Sequence, residues 1–284
     1  MRGRALASSD SGLWVAGTER VLSLPGRDPH FSSSTLWSAK TRGGGDVVLK
    51  CFFDRAAFRT ERTAYRMLSG HCAAVDHFLG EHCFDGAPVL VLRRLVPVNW
   101  TVDAWAPLLG RALAVRRSLS LARVQAPGRG GPIPTVGAEV LLAPLRAWVR
   151  GRADVPSAVS ARTSGGYRPL PLELCHGDFH PPNLLQGSDD GLRLVDWERC
   201  AWSPPDRDLA AITVGTALRQ PIEAFRPITD LARTHARDPV VFACLIMSEI
   251  LALMEVFADD PGNSRVLSQM LDNFMNVIAE EWKR

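Results

Sequence analysis

Three oxygen-bearing side chains stand out in LELCHGDFHPPNLLQGSDDGLRLVDWERC, residues 172–200: Asp178, Asn183 five residues on, and Asp196 at the end of the apolar run LRLVDW. Phosphoryl transfer to a hydroxyl needs a carboxylate to orient and deprotonate the acceptor, plus oxygen ligands for Mg²⁺ bridging the phosphates. One Asp, an amide oxygen and a second Asp across a hairpin supply those parts. Pro181 and Pro182 forbid a helix through the middle, so the segment is expected to be a rigid extended loop. The turn GSDDG then leads into the strand that delivers Asp196.

Upstream, the apolar run DVVLKCFF contains Lys50, one of three lysines (Lys40, Lys50, Lys283) in a chain otherwise rich in arginine. Strand alternation puts Val48, Lys50 and Phe52 on one face and Val47, Leu49, Cys51 and Phe53 on the other. A buried ammonium needs an anionic partner, since burying it unpaired costs several kcal/mol. The helix expected from Arg55 to Leu68, with Asp54 as its N-cap, offers one. Ala57, Glu61, Ala64, Tyr65 and Leu68 share a stripe, while Arg55, Arg59, Arg62 and Arg66 line the opposite face. Taken alone, the pair fits an ordinary structural ion pair as well as a phosphate-holding one.

H-G-D-x4-N followed by a hydrophobic residue and Asp-Trp-Glu resembles the signature of the aminoglycoside phosphotransferase and choline kinase superfamily, small-molecule relatives of the protein kinases. Lys50, Glu61 and the strand APVLVLRRL (87–95) fall in the expected order, so the resemblance covers about residues 20–210. It implies Asp178 as catalytic base, Asn183 and Asp196 as Mg²⁺ ligands, Lys50 on the α- and β-phosphates, and Glu61 orienting Lys50. It also implies His176 and Asp208 as supports of the catalytic loop, and backbone groups from Arg93 to Leu95 on the purine edge. ATP or GTP would be the co-substrate. The loop RDPHFSSS departs from the pattern, lacking glycines to cover the phosphates; backbone N–H groups around Ser33 and Ser34 are the substitutes. His180 suits a γ-phosphate contact or a cap of the loop, and Glu198 a metal or solvent contact.

The rest of the chain must position these groups. With 284 residues, 46% hydrophobic and 22% charged, it has the composition of a globular protein with a real core, which excludes disordered and collagen-like classes. Strands come first and helices later, an α+β order matching a two-lobed protein-kinase-like fold: an N-terminal antiparallel sheet with one main helix, residues 1–94, and a mostly helical C-terminal lobe, 95–284. The segments 126–136 and 151–170, rich in Gly, Pro, Ser and Arg, read as loops or flaps. No secretory signal follows MRGRALASSDSG, and the apolar stretch 240–258 carries Glu249 and Glu255, so a buried helix and a cytoplasmic protein are expected. The six cysteines form no C-x-x-C pair and are expected to be reduced; a metal at Cys72, His77, His82 and Cys83 is disfavoured for lack of paired knuckles.

Charge is lopsided: residues 1–175 hold 23 Lys+Arg against 13 Asp+Glu (+10), and 176–284 hold 10 against 17 (−7). Scattered arginine without a reading motif argues against nucleic acid. The acidic second part suits a small cationic hydroxyl acceptor, with Asp206, Glu249 and Glu255 as candidates to bind it. The expected activity is phosphorylation of an antibiotic of the aminoglycoside or cationic peptide type. A metabolic kinase for an amino alcohol, nucleoside or sugar is the alternative. A metal-dependent hydrolase built on His176, Asp178, His180 and Asp196 leaves Lys50, Glu61 and Asn183 without roles, and a non-catalytic kinase-like module would be expected to lack at least one key residue.

Overall fold

The computed structural model describes residues 15–20, 34–41, 44–84, 86–121, 133–150, 152, 155, 159–161 and 172–281. They belong to two compact units, the first drawn from the ranges Met1–Val98, Ala122–Ile133 and Pro182–Cys200, the second from Asn99–Leu121, Pro134–Pro181 and Ala201–Arg284.

The first unit is built on an antiparallel sheet of β1 (Val15–Arg20), β2 (Ser34–Thr41), β3 (Asp46–Phe52), β4 (Phe78–Phe84) and β5 (Ala87–Arg93) in the order β1-β2-β3-β5-β4. Alternation along β3 sorts its side chains as expected. Val47 and Leu49 bury with Ala39, Val89 and Val91 on one face, with Cys51 packed against them. Lys50 and Phe52 are buried on the other. Phe53 lies beyond the strand and is exposed. Helix α1 (Arg55–Leu68) starts where Asp54 accepts a hydrogen bond from the Ala56 N–H at 2.7 Å, satisfying a helix-end donor. It buries Thr60, Glu61, Ala64, Tyr65 and Leu68, with Thr60 taking a place expected for Ala57.

A second small sheet joins β6 (Val96–Pro97), β8 (Leu184–Gln186) and β9 (Leu192–Leu194). The GSDDG turn closes the β8–β9 hairpin through the Gly187 N–H to Gly191 C=O bond at 2.9 Å. Arg193 locks the hairpin to the chain before β4, meeting Asp76 at 2.5 and 2.9 Å and Asp189 at 2.7 Å. These bonds explain why 182–200 groups with the first unit although it lies far beyond position 94 in sequence.

The second unit is mainly helical: α2 (Trp105–Leu121), α3 (Ala138–Leu141), α4 (Ala143–Val149), α5 (Asp206–Ala217), α6 (Phe225–Arg233), α7 (Pro239–Val256) and α8 (Pro261–Glu281), with a two-stranded ribbon of β7 (Glu173–Cys175) and β10 (Ala201–Ser203). α7 is the one helix among the described residues long and apolar enough to cross a membrane. Its residues Val241–Ser248 are buried, and it packs against α4, α5 and α8, as a core helix does.

Candidate active site

Each unit holds part of the candidate machinery. In the first, Lys50 Nζ stands 2.6 Å from Glu61 Oε2 and 2.5 Å from Asp196 Oδ1. All three side chains are buried, at 3%, 0% and 8% exposure. Three local features bring them together. β3 turns Lys50 inward, the buried stripe of α1 carries Glu61, and the short turn Trp197–Arg199, packed on α1, follows directly on Asp196. Asp196 itself sits in the left-handed region at φ 73°, ψ 60°, a conformation a non-glycine residue adopts at a cost and commonly keeps at functional sites. Burial disfavours the Lys50 charge, but Asp196 and Glu61 outweigh it and hold its pKa above the ordinary lysine value. Burial pushes the Glu61 carboxyl up, an effect Lys50 only partly offsets.

The groups around Lys50 line a cavity of about 190 Å³. Leu36, Val48, Leu92, Leu185 and Val195 make its apolar walls, with Lys50, Glu61 and Asp196 at the polar end. Arg93, Arg94 and Leu95 edge it. The N–H groups of Arg93 and Arg94 are already given to the carbonyls of His77 (2.7 Å) and Asp46 (3.1 Å). His77 also lines the cavity; it is 1% exposed, 3.1 Å from the Tyr65 hydroxyl, and burial drives its pKa down to about 3, so the ring is neutral. The sequence offers His77 only as a disfavoured metal ligand in HCAAVDHFLGEHC and gives no signal for its place in this cavity.

Asn183 is 4% exposed and ends a tight turn before β8; its carbonyl accepts the Val195 N–H at 3.0 Å. The hairpin register, Leu184 opposite Leu194, therefore sets Asn183 beside the residue preceding Asp196. Among the described residues, Glu61, Asp196 and Glu198 bring ligand oxygens within 4.8 Å of one another, and Glu61 Oε1 is buried with no hydrogen-bond partner. The donors are all oxygen, the chemistry a hard divalent cation such as Mg²⁺ takes, but Lys50 Nζ already sits between Glu61 and Asp196, which leaves the Asp196–Glu198 side of the cluster to such an ion. Cys72 and His77 are buried while Cys83 is exposed, and these residues form no such cluster with His82. Ser34 opens β2, buried and paired with Phe52; Ser33 and most of RDPHFSSS lie outside the described residues, as do most of the flap segments.

In the second unit, β7 leads into His176-Gly177-Asp178. The Asp208 carboxylate, from the first turn of α5, accepts the N–H groups of His176 (2.7 Å) and Gly177 (2.9 Å). His176 Nδ1 accepts the Asp178 N–H at 3.3 Å, and Arg207 donates to the Gly177 carbonyl at 3.1 Å. Gly177 takes φ 81°, open to glycine and strained for other residues. The loop is thus tied down by its backbone, while the Asp178 side chain keeps 30% of its surface exposed. His180 approaches both Asp178 and Glu249.

The remaining acidic candidates separate. Asp206 is 2% exposed, and its oxygens accept from Arg116 at 3.1 Å and the backbone N–H groups of Arg237 and Asp238. That placement corrects the acceptor role expected for it: a carboxylate closed in by three donors braces the fold. Glu255 is exposed near the end of α7, and Glu249 lines a cavity of about 190 Å³ with Arg207, Leu245 and Ser248.

The model of the phosphotransferase enzyme family matches residues 31–236, well over half of the chain. This chain belongs to that family. No curated protein sequence matches it. Among solved structures, it is similar to a thermostable mutant of aminoglycoside phosphotransferase APH(4)-Ia (TM-score 0.59, 16% identity, covering 94% of this chain and 96% of that one). It is also similar to choline kinase LicA from Streptococcus pneumoniae (0.56, 14%, 93% and 94%) and to an aminoglycoside phosphotransferase in complex with GDP and kanamycin (0.55, 15%, 92% and 93%). The phosphotransferase therefore has the protein-kinase-like fold, α+β with an antiparallel N-terminal sheet and a helical C-terminal region.

Proposed function

We propose that this phosphotransferase moves the γ-phosphoryl group of a purine nucleoside triphosphate, with Mg²⁺, to a hydroxyl of a small cationic antibiotic of the aminoglycoside or cationic peptide type, and so confers resistance in the cytoplasm. The observation carrying the nucleotide half is the buried Lys50–Glu61–Asp196 cluster at the polar end of an apolar cavity. Leu36, Val48, Leu185 and Val195 offer flat apolar walls to a purine, and Lys50 a cation to its phosphates. With the Arg93 and Arg94 N–H groups spent, the donor to the purine edge falls to the Leu95 N–H. Asn183 and Asp196, with Glu198 close to Asp196, would hold the metal. Bound there, Mg²⁺ neutralises charge on the phosphate oxygens. Asp178, projecting from a loop pinned by Asp208, orients the acceptor hydroxyl and takes its proton.

Related folds support the antibiotic class: one APH(4)-Ia structure is a ternary complex with AMP-PNP and hygromycin B. The similarity to a choline kinase favours a second reading, a metabolic kinase for an amino alcohol. The test is acceptor-dependent release of nucleoside diphosphate with ATP and GTP across aminoglycosides, cationic peptide antibiotics, nucleosides, choline and sugars. Asp178→Asn should fold as the wild type and lose at least about 10²-fold in turnover, the scale of general-base catalysis. Full turnover in that variant would remove the mechanism. Phosphorylation of choline or a sugar in preference to every antibiotic would install the second reading.

A further inference from the structure

One imidazole in the second unit is gripped from three sides. His180 Nε2 lies 3.3 Å from Glu249 Oε1 and 3.6 Å from Asp178 Oδ1, so the ring stands between two carboxylates. Its opposite edge rests on α5 at Gly215, where a Cβ would come within 2.5 Å of Nδ1 and 2.9 Å of the Pro181 ring. A glycine inside a helix costs about 1 kcal/mol relative to alanine, so this site keeps a locally unfavourable residue where the imidazole needs room. Glu249, within α7, follows directly on the buried run Val241–Ser248. A proline-stiffened loop and two helices thus converge on a single side chain.

We propose that His180, held by Glu249, is a positioning residue for Asp178: its imidazolium fixes the direction in which the Asp178 carboxylate is presented to the acceptor hydroxyl. This rests on the reading of Asp178 as the base. In the transfer, the acceptor O–H proton passes to Asp178 while the hydroxyl oxygen forms the new P–O bond. The leaving nucleoside diphosphate takes the electrons of the broken one, and His180 keeps its own proton throughout. The charged groups facing the ring are Asp178 on the loop, Glu249 on α7 and Arg219 just beyond α5. Burial disfavours the charged ring and Arg219 adds to that. The hydrogen bond and charge of Glu249, with Asp178, outweigh both and raise the His180 pKa above its ordinary value. The bridging cation therefore persists to higher pH than on a free imidazole and is lost as pH rises through that raised pKa, leaving two carboxylates with no charge between them.

Two readouts test this on the full chain. In the first, imidazole NMR titration, with the His180 signal assigned by its loss in His180→Gln, requires no acceptor. The ring should titrate above about 6.5, the ordinary histidine value, and its pKa should fall in both Glu249→Gln and Asp178→Asn. A wild-type value below 6.5, or no change in Asp178→Asn, overturns the placement. The second readout is the pH profile of kcat for Mg²⁺-nucleotide turnover, with an acceptor or with water as acceptor. His180→Gln should lower kcat roughly tenfold, leave the nucleotide KM unchanged and remove the alkaline limb; Glu249→Gln, which keeps its shape, should move that limb to lower pH. A Glu249→Gln profile superimposable on the wild type overturns the proposal, since a merely structural histidine would change stability and not the profile. Failure of the base assignment shows separately, as full turnover in Asp178→Asn.

Discussion

Replacing Lys50 with Met removes the one cation between Glu61 and Asp196 and leaves two carboxylates at 0% and 8% exposure facing each other. Breaking a buried pair in this way costs about 3–5 kcal/mol. An independent route gives the same scale. The cheapest escape is protonation of one carboxyl, and from an unfolded-state pKa near 4.3 that costs about 4 kcal/mol at pH 7. For a chain of this size the loss corresponds to a Tm drop on the order of 10 °C. The sign of the pH dependence follows. In Lys50→Met the folded carboxyls have pKa values above their unfolded ones, so the folded state binds more protons and regains stability as pH falls. At pH 5 the protonation cost shrinks to about 1 kcal/mol. Denaturation of wild type and variant at pH 8 and pH 5 measures this directly. EDTA must be present, because Glu61, Asp196 and Glu198 gather oxygens that would draw a divalent cation once the lysine is gone. A deficit equal at both pH values would refute the reasoning, since it would mean that lost packing and not uncompensated charge sets the cost.

Further outcomes follow from other buried groups. His77, whose pKa burial lowers to about 3, refuses a proton that the unfolded chain accepts near 6.5. Its contribution to stability is present above about 6.5 and lost at about 1.4 kcal/mol per pH unit as pH falls from there toward 3. His77→Gln should therefore show a shallower fall of Tm between pH 6 and 4, and parallel curves would refute this. Gly215→Ala should raise stability by about 1 kcal/mol on helix propensity alone. The 2.5 Å clash with His180 reverses the sign, to a loss of about 1–3 kcal/mol by chemical denaturation, and a gain would show that the ring does not rest there.

Much of this was legible in the chain because the decisive signals are local. The bounds of α1, its Asp54 cap and its inward Glu61 follow from a 3.6-residue period, and the inward Lys50 from a period of two. The Asp178-to-Asp196 segment carries its own prolines and turn residues, so the β8–β9 hairpin could be read directly. What escaped the reading depends on distant partners. β4 hides in HCAAVDHFLGEHC because an irregular register between Phe78 and Gly80 spoils its alternation. By sequence Asp206 passes for an acceptor-binding acid; its burial is decided by Arg116 and the backbone of Arg237 and Asp238. His180 and Glu249 each drew notice singly, but nothing in the sequence joins positions 69 apart.

The Lys50–Asp196 contact also has a consequence in time. The partners are 146 residues apart, and the hairpin that carries Asp196 completes a unit whose other strands are made first. At synthesis rates of about 5–20 residues per second, the ribosome needs roughly 7–30 s to get from Lys50 to Asp196. A sheet formed within that interval would hold a lysine with only Glu61 to answer it and an apolar wall still missing Leu185 and Val195. The first unit can therefore complete this charge pairing and close this apolar wall only after Asp196 has left the ribosome.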